Sequence, residues 1–160
     1  MKYKISVERN TLRFAAAHIT TCQGQAEPLH GHNYALLVEV EGALTEDAWV
    51  LDFGDVKRIG EALCQQLDHR FLLPRDNPAL DVSDLDDAWQ IAVAGRRYLI
   101  PKSDACLLPL DNPTAERLAE WFCHRLAEAL ADRGNITSIT VGVEEAPDQA
   151  GWCTLSLSDR

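Results

Sequence analysis

The run 32–42, HNYALLVEVEG, constrains this chain more than any other stretch. It is rich in Val, Leu and Tyr, and its second half alternates apolar and acidic residues. A period of two sends successive side chains to opposite faces of a strand, so one face is written for a core and the other is not. The segment 4–8 (KISVE) alternates in the same way. We expect it to turn near Asn10 and resume as a strand through 12–18 (LRFAAAH), with a loop over 20–29 carrying Gly24 and Pro28.

The periodicity changes from there on. Across 54–66 and into Leu67, apolar residues at 56, 59, 63 and 67 lie on one face of a helix. A second helix is expected over 113–132, with an apolar stripe at 118, 122, 126 and 130. Asn112 would be its N-cap, Pro113 its first helical residue and Glu116 an acid in its first turn, with Gly134 just past its end. The stretch 89–100 reads as a hairpin around Gly95, and 136–144 and 152–157 as two closing strands. Strands, helix, hairpin, helix and strands in that order predict an α+β fold, an antiparallel sheet with helices on one face.

The 160 residues contain no repeat or low-complexity linker, so one domain over 1–160 is expected. The formal charge of −10 repels phosphate backbones and argues against nucleic acid. No apolar run has the length of a membrane span, and the N-terminus does not read as an export signal. Cys22, Cys64, Cys106, Cys123 and Cys153 are odd in number and never spaced C-x-x-C. They read as reduced thiols, and the expected location is the cytoplasm.

Three of the five histidines lie within fifteen positions. His30 and His32, at i and i+2 of a strand, share a face, and His18 ends the strand expected to pair beside them. Three neutral imidazoles with a vacant fourth position suit a catalytic zinc, whereas structural zinc is closed by four ligands. Gly31 leaves the space between two ligands clear of a side chain. Cys22 is a candidate fourth ligand that would close the site.

These residues resemble a known set. FAAAH at 14–18 followed by HGHNY at 30–34 is similar to the zinc signature of the 6-pyruvoyl-tetrahydropterin synthase / 6-carboxy-tetrahydropterin synthase family. LDF at 51–53 with Lys57, LDHRFL at 67–72, NPTAE at 112–116 and VEEAP at 143–147 resemble four further family segments in the same order. The extra piece is about 74–108. The resemblance implies a tunnelling fold, in which each subunit supplies a four-stranded antiparallel sheet and a helix pair. It also implies a homohexamer with active sites at subunit interfaces, and a pterin substrate such as 7,8-dihydroneopterin triphosphate. It makes His18, His30 and His32 the zinc ligands, and Asp68 and His69 part of a catalytic relay. It makes Glu145 the pterin anchor, with Glu144 as the alternative if the strand slips by one, and Thr114 a hydrogen-bonding partner of the ring. Helix-start chemistry is an equal reading for Thr114.

The chain departs from the family where a cysteine is expected, four or five residues before His30; Ala26 and Gln25 stand there. Glu27 instead gives E-x-x-H-G-H, which looks like the folate-type branch. That branch implies a carbon–carbon lyase forming 6-hydroxymethyl-7,8-dihydropterin from 7,8-dihydroneopterin triphosphate, with Glu27 as acid/base. One alternative is a 6-carboxy-tetrahydropterin synthase or 6-pyruvoyl-tetrahydropterin synthase in which Cys22 replaces the missing thiol. The other is a pterin- or metal-binding relative without catalysis.

Overall fold

A computed structural model describes residues 1–157, Arg9 by its backbone alone. The elements in chain order are β1 (Tyr3–His18), β2 (Thr21–Cys22), β3 (Gln25–Ala26), β4 (His30–Gly42) and α1 (Phe53–Leu67). There follow β5 (Arg70–Pro74), β6 (Asp81–Asp84), β7 (Ala88–Val93), β8 (Arg96–Pro101) and β9 (Ala105–Leu108), then α2 (Ala115–Ala129), β10 (Ile136–Ala146) and β11 (Gln149–Ser156).

The expected four-stranded antiparallel sheet is present in the order β11-β10-β4-β1. It is longer than expected: β5 adds in parallel to the end of β1, and β9 in parallel to β5, giving six strands. Phe71, Leu72 and Leu73 of β5 are all buried, the continuous apolar pattern of a strand covered on both faces. No turn forms near Asn10. β1 runs through it, and five residues advance from Glu8 to Arg13 while β4 advances two, from Leu37 to Ala35. That irregularity keeps Leu12, Phe14 and Ala16 in the same core as Val7.

Both helices contribute to the core against one sheet face. Val56, Ile59, Leu63 and Leu67 of α1 and Leu118, Phe122 and Leu126 of α2 join Leu36, Val38, Val40, Val141 and Val143. Asp52 caps α1, its carboxylate accepting from Gly54 N–H at 2.7 Å. The N-cap of α2 is Thr114, not Asn112, and Pro113 precedes the helix instead of starting it. The Asn112 side chain is engaged elsewhere: its Oδ1 accepts from Thr21 N–H at 3.0 Å and its Nδ2 donates to the Thr21 carbonyl at 2.8 Å.

The hairpin expected at 89–100 is the β7–β8 pair, and β6 makes it a three-stranded antiparallel sheet. Ala94 and Gly95, at φ +48° and +75°, form its tight turn. A second core joins this sheet to the main one: Ile91, Val93 and Leu80 meet Ile19, Phe71 and Leu73, with Ala26 and Tyr98 at the margin. No helix among the described residues is long and apolar enough to cross a membrane.

Candidate active site

The register of β1 against β4 sets His18 directly opposite His30 and Ala16 opposite His32. Alternation then puts all three imidazoles on the face that carries Phe14 and Tyr34, beyond the N-terminus of α2. Their ligand nitrogens lie within 4.8 Å of one another. Ring centroids are 4.6 Å apart for His18–His30, 5.2 Å for His18–His32 and 5.0 Å for His30–His32.

The hydrogen bonds behind the rings determine what faces forward. His18 Nδ1 lies 2.9 Å from the Pro113 carbonyl and His30 Nδ1 2.8 Å from the Pro28 carbonyl. A carbonyl only accepts, so both Nδ1 atoms carry the proton and both Nε2 atoms present lone pairs. Those two Nε2 atoms are 3.1 Å apart. Two lone pairs so close repel unless a cation sits between them, and tetrahedral zinc with bonds near 2.0–2.1 Å separates its ligand nitrogens by about 3.3 Å. The donor set therefore fits a metal ion. His18 is 1% exposed, and burial is the main cause that pushes its pKa down to about 4, against the opposing Pro113 hydrogen bond. It stays neutral, the form a metal needs. Tyr34, whose hydroxyl is 3.2 Å from the same Nδ1, is held protonated chiefly by burial.

Gly31 is required for a reason other than clearance over the metal. Its missing side chain lies on the opposite sheet face, where a Cβ would come 2.7 Å from the Ala16 carbonyl oxygen.

Glu27 is the acid next to the cluster: its Oε2 is 3.9 Å from His30 Nε2 and accepts from Thr20 Oγ1 at 2.5 Å. It closes a hairpin in which Thr21–Cys22 pairs with Gln25–Ala26 around Gln23 and Gly24, both at positive φ. A cleft of about 530 Å³ opens there, lined by His18, His30, Glu27, Cys22, Thr114 and Glu145 among others, a size that suits a small organic ligand. Among the described residues the close group of ligand atoms holds three imidazoles and no sulfur, so Cys22 is in the cleft wall and not in that group.

The other expected site residues are distributed as follows. Val141, Val143 and Glu145 share one face of β10, which directs Glu145 to the cleft, while Glu144 pairs across to Ala35 and Ala150 on the other register positions. Thr114 is in the cleft wall and also caps α2, its Oγ1 accepting from Arg117 N–H at 3.4 Å, which leaves its own hydroxyl proton to donate. Asp68 ends α1; its Oδ1 accepts from Ala15 N–H at 2.8 Å and its Oδ2 is 2.9 Å from His69 Nδ1. The Ala15 N–H is the main cause that holds the Asp68 carboxyl below its ordinary pKa, with His69 adding to it. The His69 backbone is left-handed at φ +57°, and its side chain is 83% exposed. It lines a second cleft of about 550 Å³ together with His32 and Arg70, so one chain does not put His69 in the same cleft as Glu27.

Residues 5–156 match the family model for 6-pyruvoyl tetrahydropterin synthase. The chain belongs to this family. Within the family, a Methanocaldococcus jannaschii protein provisionally named 6-carboxy-5,6,7,8-tetrahydropterin synthase is 34% identical over 145 residues, 89% of this chain and 88% of that one. A dihydroneopterin monophosphate aldolase of Pyrococcus furiosus is 38% identical over 117 residues, 73% and 71% of the two chains. The 6-pyruvoyltetrahydropterin synthase of Plasmodium vivax, solved as a variant with cysteine in place of a catalytic glutamate, superposes with a TM-score of 0.92 at 27% identity over 98% and 99% of the chains.

Four contacts around the histidines and Glu27 have no counterpart in the sequence pattern: Thr20 on Glu27, Asn112 and Asn77 on Thr21, and Arg96 on the Ala26 carbonyl. Asn112 was visible as the head of N-P-T-A-E, though with another role. Arg96 is separated from its partner by 70 positions and carried no local signal.

Proposed function

We propose that this chain is a zinc-dependent carbon–carbon lyase that converts a 7,8-dihydroneopterin phosphate, the triphosphate first, to 6-hydroxymethyl-7,8-dihydropterin. The observation that carries the reading is Glu27 Oε2 at 3.9 Å from His30 Nε2, where the chain has no cysteine. Two relatives support it, the P. furiosus aldolase and the P. vivax synthase with its catalytic glutamate.

Bound at His18, His30 and His32, zinc would supply Lewis acidity toward the substrate's side-chain hydroxyls. Glu27 Oε2 takes the proton of the hydroxyl on the second side-chain carbon. That oxygen becomes an aldehyde carbonyl as the bond between the first and second carbons breaks, and the electron pair passes through the first carbon into the ring imine. Return of one proton to the first carbon completes the hydroxymethyl group, and the phosphorylated two-carbon aldehyde leaves. Thr20 Oγ1, donating to Glu27 Oε2, sets the direction of that carboxylate. The Asp68 carboxylate orients His69, the second proton-transfer group. Glu145 accepts from the guanidine-like edge of the pterin, and the Thr114 hydroxyl donates to the ring.

His69, outside the Glu27 cleft and 83% exposed, supports a site completed by another subunit, in keeping with a homohexamer. We place the enzyme in the cytoplasm.

A 6-carboxy-5,6,7,8-tetrahydropterin synthase is the second reading, favoured by the name of the M. jannaschii relative and by Cys22 in the cleft wall. Product identification after incubating the zinc-loaded protein with 7,8-dihydroneopterin triphosphate and, separately, the monophosphate discriminates between them. We expect 6-hydroxymethyl-7,8-dihydropterin, and a loss of about 10²–10⁴ in kcat for Glu27→Gln with zinc retained. 6-Carboxy-tetrahydropterin as the product, undiminished in Glu27→Gln, would overturn the lyase.

A further inference from the structure

The loop that carries Glu27 does not hold itself. β2 and β3 have two residues each, and a hairpin that short is at best marginally stable in water. Beyond the short β2–β3 ladder, its base is tied by Glu27 N–H to the Thr20 carbonyl at 2.9 Å and by Thr20 Oγ1 to the Glu27 carboxylate. The remaining restraint is borrowed from elsewhere in the chain. Asn112 grips both backbone groups of Thr21. Asn77 Nδ2 donates to Thr21 Oγ1 at 3.2 Å, and Asn77 is itself buried, its Oδ1 taken by Ala79 N–H. Arg96 donates from its guanidinium to the carbonyl of Ala26, the residue directly before Glu27, at 2.6 Å.

Two of these three side chains come from the segment 74–108, Asn77 just before β6 and Arg96 at the start of β8. The same segment packs both ends of the loop apolarly: Ile19 and Ala26 sit in the second core with Ile91 and Val93. We propose that the three-stranded sheet β6–β7–β8 is the scaffold of the Glu27 loop, and that Arg96, with Asn77 and Asn112, is a positioning residue for Glu27. Arg96 fixes the peptide that leads into Glu27. Without it the carboxylate samples positions away from the reacting hydroxyl, and a small misplacement of a catalytic group is costly. The kinetic part of this rests on the lyase reading; the mechanical part does not.

The test uses the full zinc-loaded chain. In Arg96→Ala, amide hydrogen exchange across residues 20–27 should speed by about tenfold, reporting a local opening. Turnover on the dihydroneopterin phosphate should fall about tenfold in kcat with KM within about twofold, because Glu27 acts in the chemical step and not in binding. Zinc content should not change. Arg96→Lys, which keeps one donor, should recover most of both losses. A loop whose exchange is unaltered in Arg96→Ala overturns the proposal. So does a kcat loss accompanied by loss of zinc, or one shared equally by Arg96→Lys, since either marks general damage. If the wild-type chain turns over neither phosphate, the lyase reading fails, and the exchange of residues 20–27 still decides the scaffold.

Discussion

The imidazole cluster and the glutamate loop meet at one nitrogen, His30 Nε2, yet they are held in opposite ways. The imidazoles stand on two long strands whose register is fixed over many residues, and two of them are fastened from behind by backbone carbonyls. Glu27 stands on a minimal hairpin fastened by side chains that lie 56 to 91 positions away in the sequence. The first arrangement makes the histidine cluster a property of the sheet. The second leaves Glu27, the proposed acid/base, on a part that can change without disturbing the sheet. A chain that carries the histidine set but has Glu27 near the place where the resemblance expects a cysteine is consistent with that division of labour.

Removing the sheet-held half should give the largest effect. The double variant His30→Ala, His32→Ala should lose roughly one zinc per chain and all measurable turnover, as elemental analysis and a product assay would report. Retained stoichiometric metal would break the comparison at its base. A smaller effect is expected from Gly31→Ala, which drives a methyl against the Ala16 carbonyl. It should cost about 1–3 kcal/mol of stability, seen as a Tm lowered by several degrees. An unchanged Tm would mean that the two strands are not locked as the register implies.

Cysteine chemistry gives the smallest effect. Cys22 is exposed, whereas burial pushes Cys64 and Cys123 up to about 12. At pH 8 those two should resist alkylation until the chain unfolds, while Cys22 reacts at once. Cys22→Ala should leave turnover within about twofold. A large loss would move the acid/base role from Glu27 to the thiol.

The histidine cluster was legible because i, i+2 spacing on an alternating strand specifies a face without further information. Helix α2 was legible in extent but not in its first residue. The preference of Asn for an N-cap is local, and the tertiary demand of Thr21 overrode it. β5 and β9 escaped because RFLLP and ACLL are short apolar runs with no period to read. The supports of the Glu27 loop escaped for a different reason. A single side chain reaching one distant carbonyl leaves no pattern in its own neighbourhood.

The Pro113 carbonyl that orients His18 belongs to the residue immediately before the Thr114 cap. One short piece of backbone therefore sets both the aim of an imidazole of the cluster and the first turn of α2. For an ion held at His18, His30 and His32, affinity and the melting of that helix end would be thermodynamically linked: whatever frays the first turn would weaken the grip on the ion, and filling the site would tighten the turn by the same free energy.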